Sequence, residues 1–271
     1  MPIRPVPSTD LCYYLVAFDK HGKERPDPDA GGGMLSEEIG QALSDGTVTD
    51  VFVLSHCWKG DIPAAIDQYD RWIAAMAACK RDRERVRVRW TDFKPLVVGF
   101  HWPSQPWGDE KMDGSFAPGA TGGEDAFVEL WADRIADTPA SRRALRAIFQ
   151  SALEDIEPER LPTEIVTAYR TLEKEAELNA DGVGGAPDAD REPLDPQIAF
   201  EDASIDDAAF GGGLSDGLLS PLRQLSFWTM KKRARTVGEG GGHDLLRHMH
   251  AANPKTRLHL MGHSFGCIVA E

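Results

Sequence analysis

The sequence lacks the features that would place it in several specialised classes. It has four cysteines in 271 residues, Cys12, Cys57, Cys79 and Cys267, and no two are closely spaced. That excludes a disulfide framework and agrees with a reducing, cytoplasmic setting. No apolar run approaches the ~20 residues needed to cross a bilayer. The opening MPIRPVPSTD has no apolar stretch of the kind found in a secretory leader. Basic residues are outnumbered 30 to 44, giving a net charge of −14. This argues against nucleic acid or an anionic membrane surface as partner, since both call for a basic face. Lys and Arg gather only at Lys80–Arg89 and Lys231–Arg235, and both runs read as solvated helix ends. The GEGGG run at 238–242 has neither the order nor the lysine of a phosphate-binding loop. The acidic residues between Asp188 and Asp207 lack calcium-loop spacing. No metal and no cofactor is expected, and no internal repeat is visible.

What is present is an alternation of apolar strands and amphipathic helices, in a chain that is 41% hydrophobic. Leu11–Phe18 reads as a strand, and Asp19–Lys23 as a polar hairpin turn. A short helix from Ser36 to Gly46 shares Ile39, Ala42 and Leu43 on one face. Val48–Ser55 is apolar on both faces, as in a parallel strand covered on both sides. Ile62, Ile66, Tyr69, Ile73 and Met76 then follow helical spacing. Arg81–Arg89 is expected to be a charged connector. Pro95–Phe100 is another buried strand, running into His101-Trp102-Pro103-Ser104.

A Gly/Pro/Asp-rich loop from Gly108 to Gly123 precedes three helical patterns, Glu124–Ala136, Ser141–Ile156 and Thr163–Leu178. Asn179–Gly217 is acidic, with Arg191 its single basic residue, and is expected to be a flexible linker. An apolar face resumes at Leu222, followed by a Gly-rich break, a helix over His243–Ala252 and a strand over Thr256–Met261. The expected class is α/β, a mostly parallel sheet flanked by helices. Residues 1–107 and 220–271 would form that domain, 108–178 a helical insertion or cap, and 179–219 the linker.

The last strand leads into Gly262-His263-Ser264-Phe265-Gly266 and then the apolar Cys267-Ile268-Val269-Ala270. This is G-x-S-x-G in a strand–turn–helix setting. The glycines leave room for close packing of strand on helix, and the serine projects above the sheet. Here the chain resembles the α/β-hydrolase superfamily, best its bacterial lipase- and esterase-like members, in which the turn often reads His-Ser-x-Gly. The strand–loop–helix at 51–76, with its His56-Cys57-Trp58, resembles the family's third strand and the loop that supplies an oxyanion-hole amide. Cys57 stands where the family usually has glycine. The Trp-Pro-Ser ending after the next strand is a third point of likeness.

The resemblance implies Ser264 as nucleophile, the backbone amides of Phe265 and Trp58 as oxyanion hole, and His56, Cys57, Trp102 and His263 around the substrate. Trp107 would join the pocket wall. The substrate would be a small-molecule or lipid ester. The family places its acid and histidine after the nucleophile, and Glu271 follows Ser264 by only seven residues. The triad partners are therefore expected beyond Glu271, the sheet is expected to be incomplete, and this chain alone is expected to be weakly active or inactive. The alternative is a non-catalytic binding or interaction protein on a hydrolase-like scaffold.

Overall fold

A computed structural model describes residues 3–58, 62–104, 123–154, 159–178, 194–202 and 216–271. Trp107, the loop at 108–122 and most of the acidic segment fall outside them. The chain divides into two compact units, 1–104 with 233–271, and 105–232.

The first unit is built on one sheet. Its strands are β1 (Ile3–Pro5), β2 (Cys12–Ala17), β3 (Asp50–Ser55), β4 (Pro95–His101) and β5 (Arg257–Gly262), in the spatial order β1-β2-β4-β3-β5. β1 runs antiparallel to β2, and all other pairs are parallel. Val53 lies opposite Val98 on one side and Leu260 on the other, and Ser55 opposite Phe100 and Gly262. The carboxyl ends of four strands therefore share one edge, where open α/β sheets place their ligands.

Side chains alternate across the pleat. Tyr14, Val16, Val51, Val53, Val98 and Phe100 bury one face. They pack with α1 (Leu35–Ser44), the end of a long helix α7 (Asp216–Val237), and α8 (His243–Ala252). Tyr13, Leu15, Leu54 and Val97 bury the other face against Ala65, Tyr69 and Ile73 of α2 (Ile62–Ala78). A short helix α9 (Phe265–Ala270) follows β5.

The structure differs from the sequence reading in three places here. β1 is an additional strand of only three residues, too short to show a period. The segment expected as a charged connector is a helix, α3 (Lys80–Arg89), with no buried residue. The Gly-rich run does not break the chain into a loop. It carries α7 into α8 with non-helical backbone at Gly240. The hairpin turn after β2 is as expected: Asp19 Oδ1 accepts from the amides of His21 and Lys23, and Phe18 bridges to Glu24.

The second unit holds α4 (Gly123–Arg134), α5 (Pro139–Glu154), α6 (Thr163–Glu175) and α7 as far as Lys232. Trp131, Leu145, Ile148, Phe149, Tyr169 and Leu172 form its core with Leu222 and Leu225. Residues 194–202, expected as linker, include a helical stretch at 196–202. Its Phe200 is buried in the same core, as is Leu219. Scattered apolar residues in an acidic stretch are enough to anchor it locally.

Candidate functional site

Ser264 joins β5 to α9 with φ 55° and ψ −124°. Positive φ brings a β-carbon into conflict with its own backbone, and a non-glycine residue keeps it only where its surroundings impose it. Those surroundings are specific. The His263 amide donates to Ser55 O (3.2 Å), Gly266 N–H to His263 O (2.9 Å) and Cys267 N–H to Ser264 O (2.9 Å). A β-carbon on Gly262 would overlap the Gly266 carbonyl, and one on Gly266 would overlap the carbonyls of Ser55 and His56. The two glycines thus let α9 sit directly on the ends of β3 and β5, and the serine between them takes up the strain. Ser264 itself is exposed.

The Gly-rich run serves the same packing. A β-carbon on Gly238 would lie 2.7 Å from Val269 O, and Gly241 donates its amide to Gly22 O at 2.7 Å. This run is a seam of close backbone contacts.

The loop after β3 is held from below. His56 is fully buried. Its Nε2 accepts from the Trp102 amide (3.3 Å), which places the proton on Nδ1, and that N–H donates to Cys57 O (2.7 Å). Its ring stacks on Trp102 (5.6 Å, 8°) and His101 (5.2 Å, 25°). Burial lowers its pKa to about 4, so it is neutral at physiological pH. Burial, with His56 and Arg25 adding to it, lowers His101 to about 3.

Tyr69 completes the scaffold. Its hydroxyl accepts from His56 N–H (2.8 Å) and shares its proton between Leu54 O (3.1 Å) and Phe100 O (2.5 Å). Its ring lies over Gly99, where a β-carbon would come within 2.8 Å of it. The sequence presents Tyr69 only as one residue on the apolar face of α2. Its hydrogen-bonding role was not legible there, because it depends on carbonyls contributed by two other strands.

Trp58 and Phe265, whose amides were expected to form the oxyanion hole, are in contact through their side chains. The rings of Trp58 and Phe265 lie 5.4 Å apart. Cys57 is partly exposed and its Sγ–H reaches Gln68 Oε1 at 3.6 Å. His263 turns to the α2 side, edge-on to Trp72 at 6.1 Å. His56 and Trp102 were expected around the substrate. Both are completely buried, and they support the loop from behind. Among the described residues no histidine or carboxylate hydrogen-bonds Ser264 Oγ. The open groove on α8, lined by His243, Leu246, Arg247, His250 and Ala251, does not include Ser264.

Ser264 is an exposed serine of positive φ at the carboxyl edge of the sheet's parallel strands, among the described residues the third non-glycine residue of positive φ beside Ser8 and Glu177. Comparison with protein-family models, curated proteins and solved structures finds no match to this chain.

Proposed function

We propose that Ser264 is the nucleophile of an acyl-transfer site of α/β-hydrolase type, acting on a small-molecule or lipid ester. The observation that carries this reading is the strained backbone of Ser264 (φ 55°, ψ −124°) between two glycines that admit no side chain. Strain held in place at an exposed nucleophile is expensive unless it serves function. In the proposed step Ser264 Oγ attacks the ester carbonyl and gives its proton to a base. The amides of Phe265 and Trp58 would stabilise the oxyanion, and collapse of the intermediate would release the alcohol and leave an acyl-serine.

The base is not His56, whose two ring nitrogens are both engaged. His263 is turned toward Trp72. That same fact favours the second reading, a binding protein on a hydrolase-like scaffold in which Ser264 is not activated.

A fluorophosphonate probe separates the two, because it labels activated serines. Labelling that disappears in Ser264→Ala supports the hydrolase reading. Absence of labelling, both in this chain and in any longer natural form of it, would sink that reading and leave the scaffold.

A further inference from the structure

The two basic runs have different fates. In Lys231–Arg235 each charge described is committed within the molecule. Lys231 lies over the Trp228 ring, Lys232 pairs with Glu177 (2.8 Å), the buried Arg233 donates to Pro103 O (3.2 Å), and Arg235 pairs with Glu239 (2.7 Å). In α3 half of the six cations are committed in the same way and half are not. Arg85 pairs with Asp82 inside the helix, Arg83 donates to Ala77 O (3.3 Å) and reaches Asp10 at 4.0 Å, and Arg89 lies over the Trp90 ring. Lys80, Arg81 and Arg87 have no ion-pair partner among the described residues.

α3 carries six basic and two acidic side chains, a net +4, in a chain whose net charge is −14. It buries none of its residues. A helix that buries nothing draws no stability from a core. Beside the cations stand exposed apolar groups. Val88 is 83% exposed and Trp90, at the helix end, 39%. Arg89 and Arg257 lie over the Trp90 ring at 4.8 and 5.4 Å. Arginine with an exposed tryptophan is the composition of an interface hot spot.

We propose that α3 and Trp90 form a docking site for an acidic polypeptide segment. The charge complementarity selects the sign, and Trp90 with Val88 supplies apolar anchorage. The helix is ~15 Å long, enough for a short segment. A long polyanion such as nucleic acid, or an anionic bilayer, would extend past the patch to the rest of the surface, which carries the chain's excess negative charge. A segment confined to the helix avoids most of that repulsion within a Debye length of ~8 Å.

The test uses the full chain and a fluorescein-labelled ten-residue peptide, half of it glutamate, read by fluorescence polarisation at 0.15 M salt. Saturable binding is expected, about tenfold weaker in Arg81→Glu/Arg87→Glu and also weaker in Trp90→Ala. Lys20→Glu/Lys23→Glu, elsewhere on the surface, is the control and should bind as the parent does. The substituted arginines are exposed, so the fold tolerates the change. The proposal is overturned by absence of binding, or by equal binding in the charge-reversed variant. It is also overturned by tighter binding of single-stranded DNA or phosphatidylserine vesicles at the same residues.

Discussion

β3 and β5 are neighbours in register, each six residues long and rich in aliphatic side chains, yet they live in different environments. In β3 (Asp50–Ser55) every residue but Phe52 is buried. In β5 (Arg257–Gly262) none is, and Leu260 and Met261 are 45% and 41% exposed. The difference does not come from the strands' own composition. β3 has a partner on each edge, while among the described residues β5 pairs with β3 alone. An edge strand leaves one row of backbone groups and part of each face uncovered. Burial in a parallel sheet is thus a property of position, and the strained serine follows the less protected strand.

The largest expected effect tests this contrast directly. Leu54→Ala in β3 empties a fully packed site beside Tyr69 and should cost about 3 kcal/mol. Leu260→Ala, opposite Val53, should cost less than about 1 kcal/mol. Urea denaturation of the two variants measures both. Equal losses would mean that β5 is covered in solution.

A second test bears on the end of β3. His56 is neutral in the fold, with its pKa lowered to about 4 by burial. A group whose folded pKa is depressed contributes stability that is complete above its unfolded value near 6.5. As pH falls below that value, the unfolded chain takes up a proton that the folded chain refuses. Stability should therefore drop between about pH 6.5 and 4, by on the order of 3 kcal/mol. His101, lowered to about 3, extends the same trend. Thermal melts across this range should show the decline, and it should be shallower in His56→Gln. A flat profile would place His56 in contact with water.

Much of this was legible in the sequence, for physical reasons. β3 and β4 announced themselves because a strand covered on both faces carries an apolar run through its middle, Val51–Leu54 and Leu96–Val98. The G-x-S-x-G turn was legible because its glycines are enforced by contacts between residues close in sequence or at strand ends. α8 was found to the residue, since its periodicity is complete. α3 was not, because Arg85-Val86-Arg87-Val88-Arg89 alternates and shows no helical period. The lock on His56 was hidden for another reason. It requires Tyr69 and Trp102, 13 and 46 residues away, and no local pattern reports such a meeting. The buried state of His56 and Trp102 follows from that lock, and so the sequence placed them around the substrate when they stand behind the loop.

The third prediction concerns what ties β5 to β3. Asp50 is 3% exposed and accepts from Arg257 Nε and a terminal nitrogen (2.8 and 2.7 Å), from Thr49 Oγ1 (2.6 Å) and from His259 Nε2 (2.8 Å). Burial pushes its carboxyl upward, but the hydrogen bonds from Arg257, Thr49 and His259 outweigh it and hold the pKa at about 2. Its contribution is present above the ordinary carboxylate value near 4 and is lost as pH falls through about 2. Asp50→Asn should cost about 2 kcal/mol at pH 7 and make the decline between pH 4 and 2 shallower, leaving the share that comes from His101. Because Arg257 is half exposed, the loss should be smaller than for Leu54→Ala. A larger loss would show that β5 depends on this one carboxylate more than on its ladder with β3.

The smallest effect carries the most weight for the site. At φ 55° glycine is free of the conflict that serine suffers. Ser264→Gly should therefore stabilise the chain by about 1 kcal/mol, whereas Ser264→Ala, which keeps a β-carbon, should leave stability nearly unchanged. Melting temperatures of the two variants, compared with the parent, decide it. A gain confined to the glycine variant would mean that the turn stores strain in the backbone and that serine is kept there at the expense of stability. Equal stability in all three would mean that the turn relaxes in solution, and the backbone argument for a catalytic serine would fall with it, whatever the exposure of its hydroxyl.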